Sequence, residues 1–257
     1  MNRRWTRYVA PVVLLLVLLA VWEILARGLH VPDFILPAPS QIAVAFVEHF
    51  SDLVWHGAVT LLEMALGLAI GALGGIVLAI VVFYSPLLDK ALYPLIIGSQ
   101  MIPVFAIAPI LIVWMGYGLW PKVTVAALIS FFPLVVNVSD GLREPSEGSV
   151  DLFRSMGASR MQIFRKLRWP ACLPTLFSGL RVSTTLAVVG ATIGEWVGAH
   201  QGLGYLMLQS NARLRTSLVF AAIVMLSLLG LLLFGAIRII ERRVVHWRPT
   251  TSHSRGG

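Results

Sequence analysis

Ser149-Val-Asp-Leu-Phe-Arg-Ser-Met-Gly157-Ala-Ser-Arg-Met-Gln-Ile-Phe-Arg-Lys-Leu-Arg-Trp-Pro170 is a basic, polar stretch set between two long apolar blocks. The blocks suit lipid and the stretch suits water, so the chain reads as a membrane protein with one solvent-facing element. Within a loop of about residues 145–170 the pattern predicts helix, turn, helix. Pro145 ends the preceding helix, and a short helix follows over about Val150 to Met156. Gly157 supplies the left-handed residue that closes a helix. Ser159 and Gln162 have the spacing of a capping box, opening a second helix over about Arg160 to Trp169, which Pro170 ends. Val150, Leu152, Phe153 and Met156 give the first helix more apolar surface than a solvated loop needs. Arg165, Lys166 and Arg168 lie near the C-terminus of the second, where cations complement the helix dipole. Two readings fit this pattern: a docking surface for a soluble partner, or a basic amphipathic loop resting on anionic headgroups.

Working outward, the 257 residues are 58% hydrophobic and only 12% charged, whereas a soluble domain carries about a quarter charged residues. Near-uncharged runs recur at the length that crosses about 30 Å of hydrocarbon. The fold class is all-α and polytopic, a single transmembrane domain over 1–257 with about six spans: Val9–Ala26, Ala58–Tyr84, Leu87–Trp114, Val123–Leu142, Thr175–Val197 and Leu218–Ile240. The third is the least regular, since Pro94, Pro103 and Pro109 interrupt it. Its continuous part is expected from near Ile96, after a short interfacial helix. The first run follows Arg3, Arg4 and Arg7 and is read as an uncleaved span rather than a signal peptide, because no small-residue cleavage site follows it. Gly67, Gly71 and Gly75 form a close-packing stripe on the second span, within the subunit or at a dimer seam.

Lys and Arg set the orientation. With a cytoplasmic N-terminus and six crossings, only Arg27, Lys122, Arg213 and Arg215 of the 20 basic residues fall outside. That bias puts both termini and the 145–170 loop in the cytoplasm. The same placement argues against nucleic acid as the source of the net charge of +8.

Several chemistries are missing from the sequence. No phosphate loop of the Gly-x-x-x-x-Gly-Lys-Ser/Thr type exists, so no ATP hydrolysis is expected on this chain, and it does not read as an enzyme. The six His show no metal-ligand spacing, and the single Cys172 excludes a disulfide framework. Among ionisable residues near the spans, Glu63 is read as interfacial. Arg181 is read as snorkelling to the cytoplasm, with Asp140 as an alternative partner. Glu195 either shapes the outer mouth of a path or plays a structural part, capping a helix turn or pairing with Arg213 or Lys122. An ATP-independent secondary transporter or channel is the alternative function. Carriers of that kind show internal repeats and buried carboxylates, and the sequence shows no convincing repeat.

Gly157, nine residues and then Leu167-Arg168-Trp169-Pro170 resemble the EAA signature of importer-type ABC transporter permeases. Ile102-Pro-Val-Phe-Ala-Ile-Ala-Pro109 with Trp114-Met-Gly-Tyr-Gly118 is similar to the third-span region of one permease group, the one that handles nitrate, sulfonates, taurine and pyrimidine precursors of thiamine. Phe131-Phe-Pro133, Gly194-Glu195 and Gly202-Leu-Gly204 extend the likeness over roughly Ser40 to Glu241. One departure stands out: the acidic-Ala-Ala start of the signature is Asp151-Leu152-Phe153 here.

The resemblance implies a bacterial inner-membrane permease with a type I importer-like fold. It makes the 145–170 loop a coupling helix for a separate ATPase subunit, through Asp151, Leu152, Phe153, Met156, Gly157, Ala158, Ser159, Arg160 and Pro170. ATP and Mg would bind that partner, and this chain would carry no cofactor or metal. A solute-binding protein and a second copy of the chain are the other expected partners. Spans three to five of the family line the path, which makes Gln100, Met101, Pro103, Phe105, Phe131, Phe132, Asn137 and Glu195 pathway candidates. Aromatic and Met side chains there suit a flat heterocycle, and the scarcity of outer Lys and Arg gives an anion no fixed cation.

Overall fold

The computed structural model describes residues 3–29, 32–99 and 101–247. The helices are α1 (Arg3–Gly28), α2 (Pro39–Glu48), α3 (Phe50–Tyr84), α4 (Pro86–Ser99), α5 (Val104–Met115), α6 (Leu119–Arg143), α7 (Glu147–Ser155), α8 (Arg160–Ile163), α9 (Trp169–Gly198), α10 (Leu203–Ala212) and α11 (Thr216–Val244). A π-helical turn over Phe164–Arg168 joins α8 to α9. No strand occurs among the described residues.

Among the described residues, five stretches are long and apolar enough to cross a membrane: Val9–Gly28, Phe50–Tyr84, Leu119–Arg143, Arg160–Gly198 and Thr216–Val244. The expected third span, Leu87–Trp114, is not one helix. It is α4 and α5, of 14 and 12 residues, about 21 and 18 Å long at 1.5 Å per residue. The break falls after Ser99, and Pro103 caps α5 with extended backbone (φ −64°, ψ 111°). Continuous helix therefore starts at Val104, not near Ile96, because the residue before a proline is pushed out of helical conformation.

The chain divides into two compact units, residues 1–60 with 200–227 and residues 61–199 with 228–257. In the first unit, Glu23 of α1 accepts from the Ser40 backbone N–H (3.0 Å) and hydroxyl (2.8 Å) at the start of α2, while Arg27 pairs with Glu23 at 2.5 Å. Trp22 packs on Phe220 with ring centroids 5.6 Å apart. His56 Nδ1 accepts from Gly202 N–H at 3.0 Å, and Thr60 Oγ1 accepts from Leu203 N–H at 2.8 Å. These two bonds satisfy free donors at the N-terminus of α10.

In the second unit α6 is the central helix, and small residues bring its neighbours onto it. Along α9, Gly179 lies against Asn137, Gly190 against Ala126 and Gly194 against Lys122. Where the two backbones cross, Ser183 Oγ donates to Ser130 O (2.6 Å) and Ser130 Oγ to Ser183 O (3.3 Å). Numbers fall on α6 as they rise on α9, so the pair is antiparallel. Along α3, Gly67 meets Ala126, Gly71 meets Ala127 and Ser130, and Gly75 meets Leu134, so this pair is parallel. The glycine stripe thus packs within the subunit. Two parallel spans require the chain between them to return, and α4 with α5 is the only segment between them. The third crossing therefore exists as a broken one, which lipid tolerates where neighbours cover the freed backbone. Ala108 and Leu111 of α5 are buried against Val125 of α6, with Ile193 of α9 packed on them.

Candidate coupling surface and pathway residues

The 145–170 loop is helix, turn, helix as its sequence predicts. Ser146 caps α7, accepting from the Ser149 N–H. At the other end Ala158 N–H donates to Phe153 O (3.0 Å) and Gly157 N–H to Arg154 O (2.9 Å). This is the Schellman pattern, and Gly157 holds the positive φ it requires, +80°. Ser159 and Gln162 form the reciprocal box: Ser159 N–H donates to Gln162 Oε1 (2.7 Å) and Gln162 N–H to Ser159 Oγ (3.3 Å). Pro170 does not end the second helix. It sits at the start of α9, which continues from α8 through the π turn, so Arg160–Gly198 is one apolar rod of 39 residues. Proline lacks an N–H and its ring collides with the carbonyl four residues back. The wider π turn relieves that collision. At about 58 Å the rod is far longer than the hydrocarbon core, leaving room for its N-terminal turns outside it.

The loop presents a mixed face to solvent. Leu152 is 59% exposed, Met156 76% and Met161 51%, whereas Val150 is buried. Phe153 and Ala158 are half-buried, and Asp151, Ser159 and Arg160 are exposed. Asp151 pairs with Arg154 at 3.0 Å. An exposed pair of this kind contributes a few tenths of a kcal/mol, so it sets charge pattern more than stability.

Behind this face an aromatic cluster ties the loop to the bundle. Phe164 stacks near Phe83 (6.5 Å), Tyr84 (5.5 Å) and Trp169 (6.0 Å). The Arg168 guanidinium stands 5.0 Å over the Phe83 ring and donates to Leu142 O at 2.8 Å. A cation over an aromatic face contributes about 0.5–2 kcal/mol. One side chain from the signature thereby links the ends of α3 and α6 to the start of α9. A pocket of about 440 Å³ opens beside the cluster, lined by Phe83, Tyr84, Arg154, Arg160, Ile163 and Arg168. The sequence marked Trp169 only as part of the tetrad, and Arg168 as part of it and as a cation near a helix C-terminus. Phe83 and Tyr84 carried no signal beyond ending an apolar run.

The pathway candidates scatter. Gln100 lies outside the described residues. Met101, Pro103 and Phe105 are exposed at the α4–α5 break. Phe131 and Phe132 are half-buried and meet edge to face, with centroids 5.3 Å apart. Phe131 borders a cavity of about 300 Å³ with Trp120, Ile70, Gly74 and Thr124. Asn137 donates to Pro133 O within its own helix (2.8 Å) and packs on Gly179, which is helix packing.

The ionisable residues differ from expectation. Glu63 is not interfacial: it is fully buried and bonded to Lys122, itself 7% exposed. Glu195 is 1% exposed. The partner of Arg181 is Glu241 rather than Asp140. Arg181 donates to Glu241 Oε2 of α11 at 2.6 Å and to Ser178 Oγ at 3.0 Å. The Glu63–Lys122 and Arg181–Glu241 pairings each span roughly 60 positions in sequence, a separation at which single-chain patterning carries no signal.

Comparison with known proteins agrees with this architecture. Residues 71–246 match the model of the binding-protein-dependent transport system inner membrane component family. The chain is 41% identical to the formylaminopyrimidine transport permease protein ThiX of Halalkalibacterium halodurans, covering 93% of this chain and 95% of that one. It is 36% identical to the riboflavin transport system permease protein RibX of Chloroflexus aurantiacus, over 96% and 92% of the two chains. An inward-facing structure of the MetNI methionine ABC transporter superposes with a TM-score of 0.65 over 77% of this chain and 98% of that chain, at 23% identity, a likeness of fold. The coverage, the matched family and the helical architecture converge: this chain belongs to the binding-protein-dependent transport system inner membrane components, the permeases of ABC importers.

Proposed function

We propose that the chain forms the solute path of an importer whose ATPase subunit docks on the 145–170 loop. The observation that carries this is the capped, exposed loop bonded to three spans at once. The apolar side chains of Leu152 and Met156 supply the contact, and Asp151, Arg154 and Arg160 set its charge pattern. The Schellman turn at Gly157 and the box at Ser159 fix the angle between α7 and α8. Displacing the loop then pulls on α3, α6 and α9 through Phe83, Arg168 and Phe164. The ATP-bound and ATP-free partner would favour different arrangements of those spans, which is all that alternating access requires. ATP and Mg would bind only the partner. A solute-binding protein would deliver the solute from outside, a second copy of this single transmembrane domain would complete the path, and both termini would face the cytoplasm of a bacterial inner membrane.

For the solute we propose a heterocyclic vitamin or vitamin precursor. The relatives named above carry such solutes in their names, whereas the aliphatic sulfonate permease relative of Bacillus subtilis is 28% identical. Lys122 supports the same reading, because its ammonium is engaged by Glu63 and its charge is not available to an anion. Glu195 and the Phe131–Phe132 pair remain candidates for the path on this reading.

The loop is tested by purifying the chain with its genomically neighbouring ATPase. Nothing lies within 4 Å of a Cβ placed on Gly157, so substitutions there act through the backbone alone. Gly157→Asn, which tolerates the left-handed region, should retain the ATPase. Gly157→Val should lose both ATPase and ATP-driven uptake while still inserting in membranes. Normal uptake by the valine variant defeats the docking assignment.

A further inference from the structure

Where the 145–170 loop turns back toward α3, three arginines share one pocket. Arg154 of α7, Arg160 of α8 and Arg168 of the π turn line the space of about 440 Å³, and no carboxylate among the described residues lines it. Arg168 is held in place by its bond to Leu142 O (2.8 Å) and by the Phe83 ring 5.0 Å away. Arg154 pairs with Asp151, which is not part of the lining. Among the described residues Arg160 makes no ion pair. Three guanidiniums thus stand against one carboxylate, and two positive charges are left unmatched. The opposite wall is aromatic. Phe83 and Tyr84 close a stretch long and apolar enough to cross a membrane, and Tyr favours the level where hydrocarbon gives way to headgroups.

A guanidinium presents five donors in a fork that matches carboxylate and phosphate alike. A carboxylate has two oxygens to share among three forks. A phosphate monoester has three strong acceptor oxygens and carries roughly two negative charges at neutral pH, which equals the unmatched charge here. The volume falls within the range of small-molecule sites, so the group that carries the phosphate fits as well. We propose that this pocket binds a phosphate monoester, its oxygens held by Arg154, Arg160 and Arg168 and its carbon skeleton resting on Phe83, Tyr84 and Phe164. A phosphatidic acid headgroup and a soluble phosphate ester both carry this chemistry. The assignment rests on the pocket and not on ATPase docking.

The test uses the full-length chain in detergent with two probes. Phosphatidic acid is read by native mass spectrometry, with phosphatidylglycerol, a diester, as competitor. Phenyl phosphate is read by calorimetric titration. At least one probe should bind, and phosphatidic acid should be retained in preference to phosphatidylglycerol. Arg160→Gln should weaken binding at least about tenfold, the loss of one charge-assisted hydrogen bond. Arg160 is exposed, so its replacement leaves the fold intact. Arg165→Gln removes an equal charge from the same loop outside the pocket, and should change binding less than about twofold. Binding of phenyl phosphate points to a soluble ester, and binding of phosphatidic acid without it to the lipid; either supports the site. No binding of either probe overturns it. Equal losses from Arg160→Gln and Arg165→Gln also overturn it, since they reveal a diffuse basic surface. So does an Arg160→Gln chain that keeps the probes but no longer retains the ATPase, which gives the pocket to the protein partner.

Discussion

Gly157 and Gly190 are glycines for opposite reasons, and substitutions should tell them apart. Gly157 stands in open space with φ +80°, and its requirement is conformational. Gly190 is helical, and a Cβ there would sit 2.7 Å from Ala126 Cα, a backbone contact that no rotamer change relieves. Gly190→Leu should therefore force α9 away from α6. The expected loss is about 2–4 kcal/mol, at the upper end of overpacking costs because backbone must move. Thermal melts and the monodisperse fraction on size exclusion of the solubilised protein check this. The Gly67, Gly71 and Gly75 stripe was legible as a packing surface, because small residues four apart share a helix face whatever lies opposite; Gly190 was not. The identity of the opposite face was not legible, and neither was Glu63. An acidic residue between His56 and Gly67 looks interfacial until Lys122 appears beside it.

At the scale of the element, the segment from Arg160 to Gly198 fixes how the 145–170 loop is joined to the spans. Pro170 reads in sequence as a stop, and the caps at Gly157 and Ser159 read correctly because their partners lie within three to five residues, whereas the Ser146 cap was not read. The proline misleads because a π turn absorbs the missing donor and keeps the rod continuous. That turn adds one residue to a helical repeat, so it sets the rotation of α8 relative to α9. Pro170→Ala removes the steric cause of the widening. If the turn relaxes to α geometry, α8 rotates by about 100° and Arg168 leaves the Phe83 ring. Unfolding temperature should hold or rise, while ATP-driven uptake in proteoliposomes falls at least about tenfold, a coupling loss of about 1.4 kcal/mol. Unchanged uptake would show that the π turn is incidental to coupling. Pro103, by contrast, was legible as an interruption, and it caps the helix that resumes after the break.

At the scale of the whole molecule, the number of crossings turns on a segment that no hydropathy window resolves. Among the described residues, five continuous helices meet the length and composition of a span, and an odd number would put the two termini on opposite sides. The parallel packing of α3 on α6 requires a return between them, so α4 and α5 must cross together. The composition of residues 87–114 suggested a span, but its prolines hid that neither half is long enough alone. Cysteine labelling tests this directly. The native Cys172 is fully buried, so the wild-type background should be near zero. Asp33 precedes α3 and Met156 lies in the loop after α6, with both residues exposed. Three crossings separate them if the α4–α5 segment spans, and two if it does not. Asp33→Cys should react with an impermeant maleimide only in right-side-out vesicles. Met156→Cys should react only in inside-out vesicles, and should be shielded when the ATPase subunit is added. Labelling of both from one side would leave α4 and α5 lying at the surface. The parallel contact of Gly67, Gly71 and Gly75 with α6 would then have no chain path to sustain it.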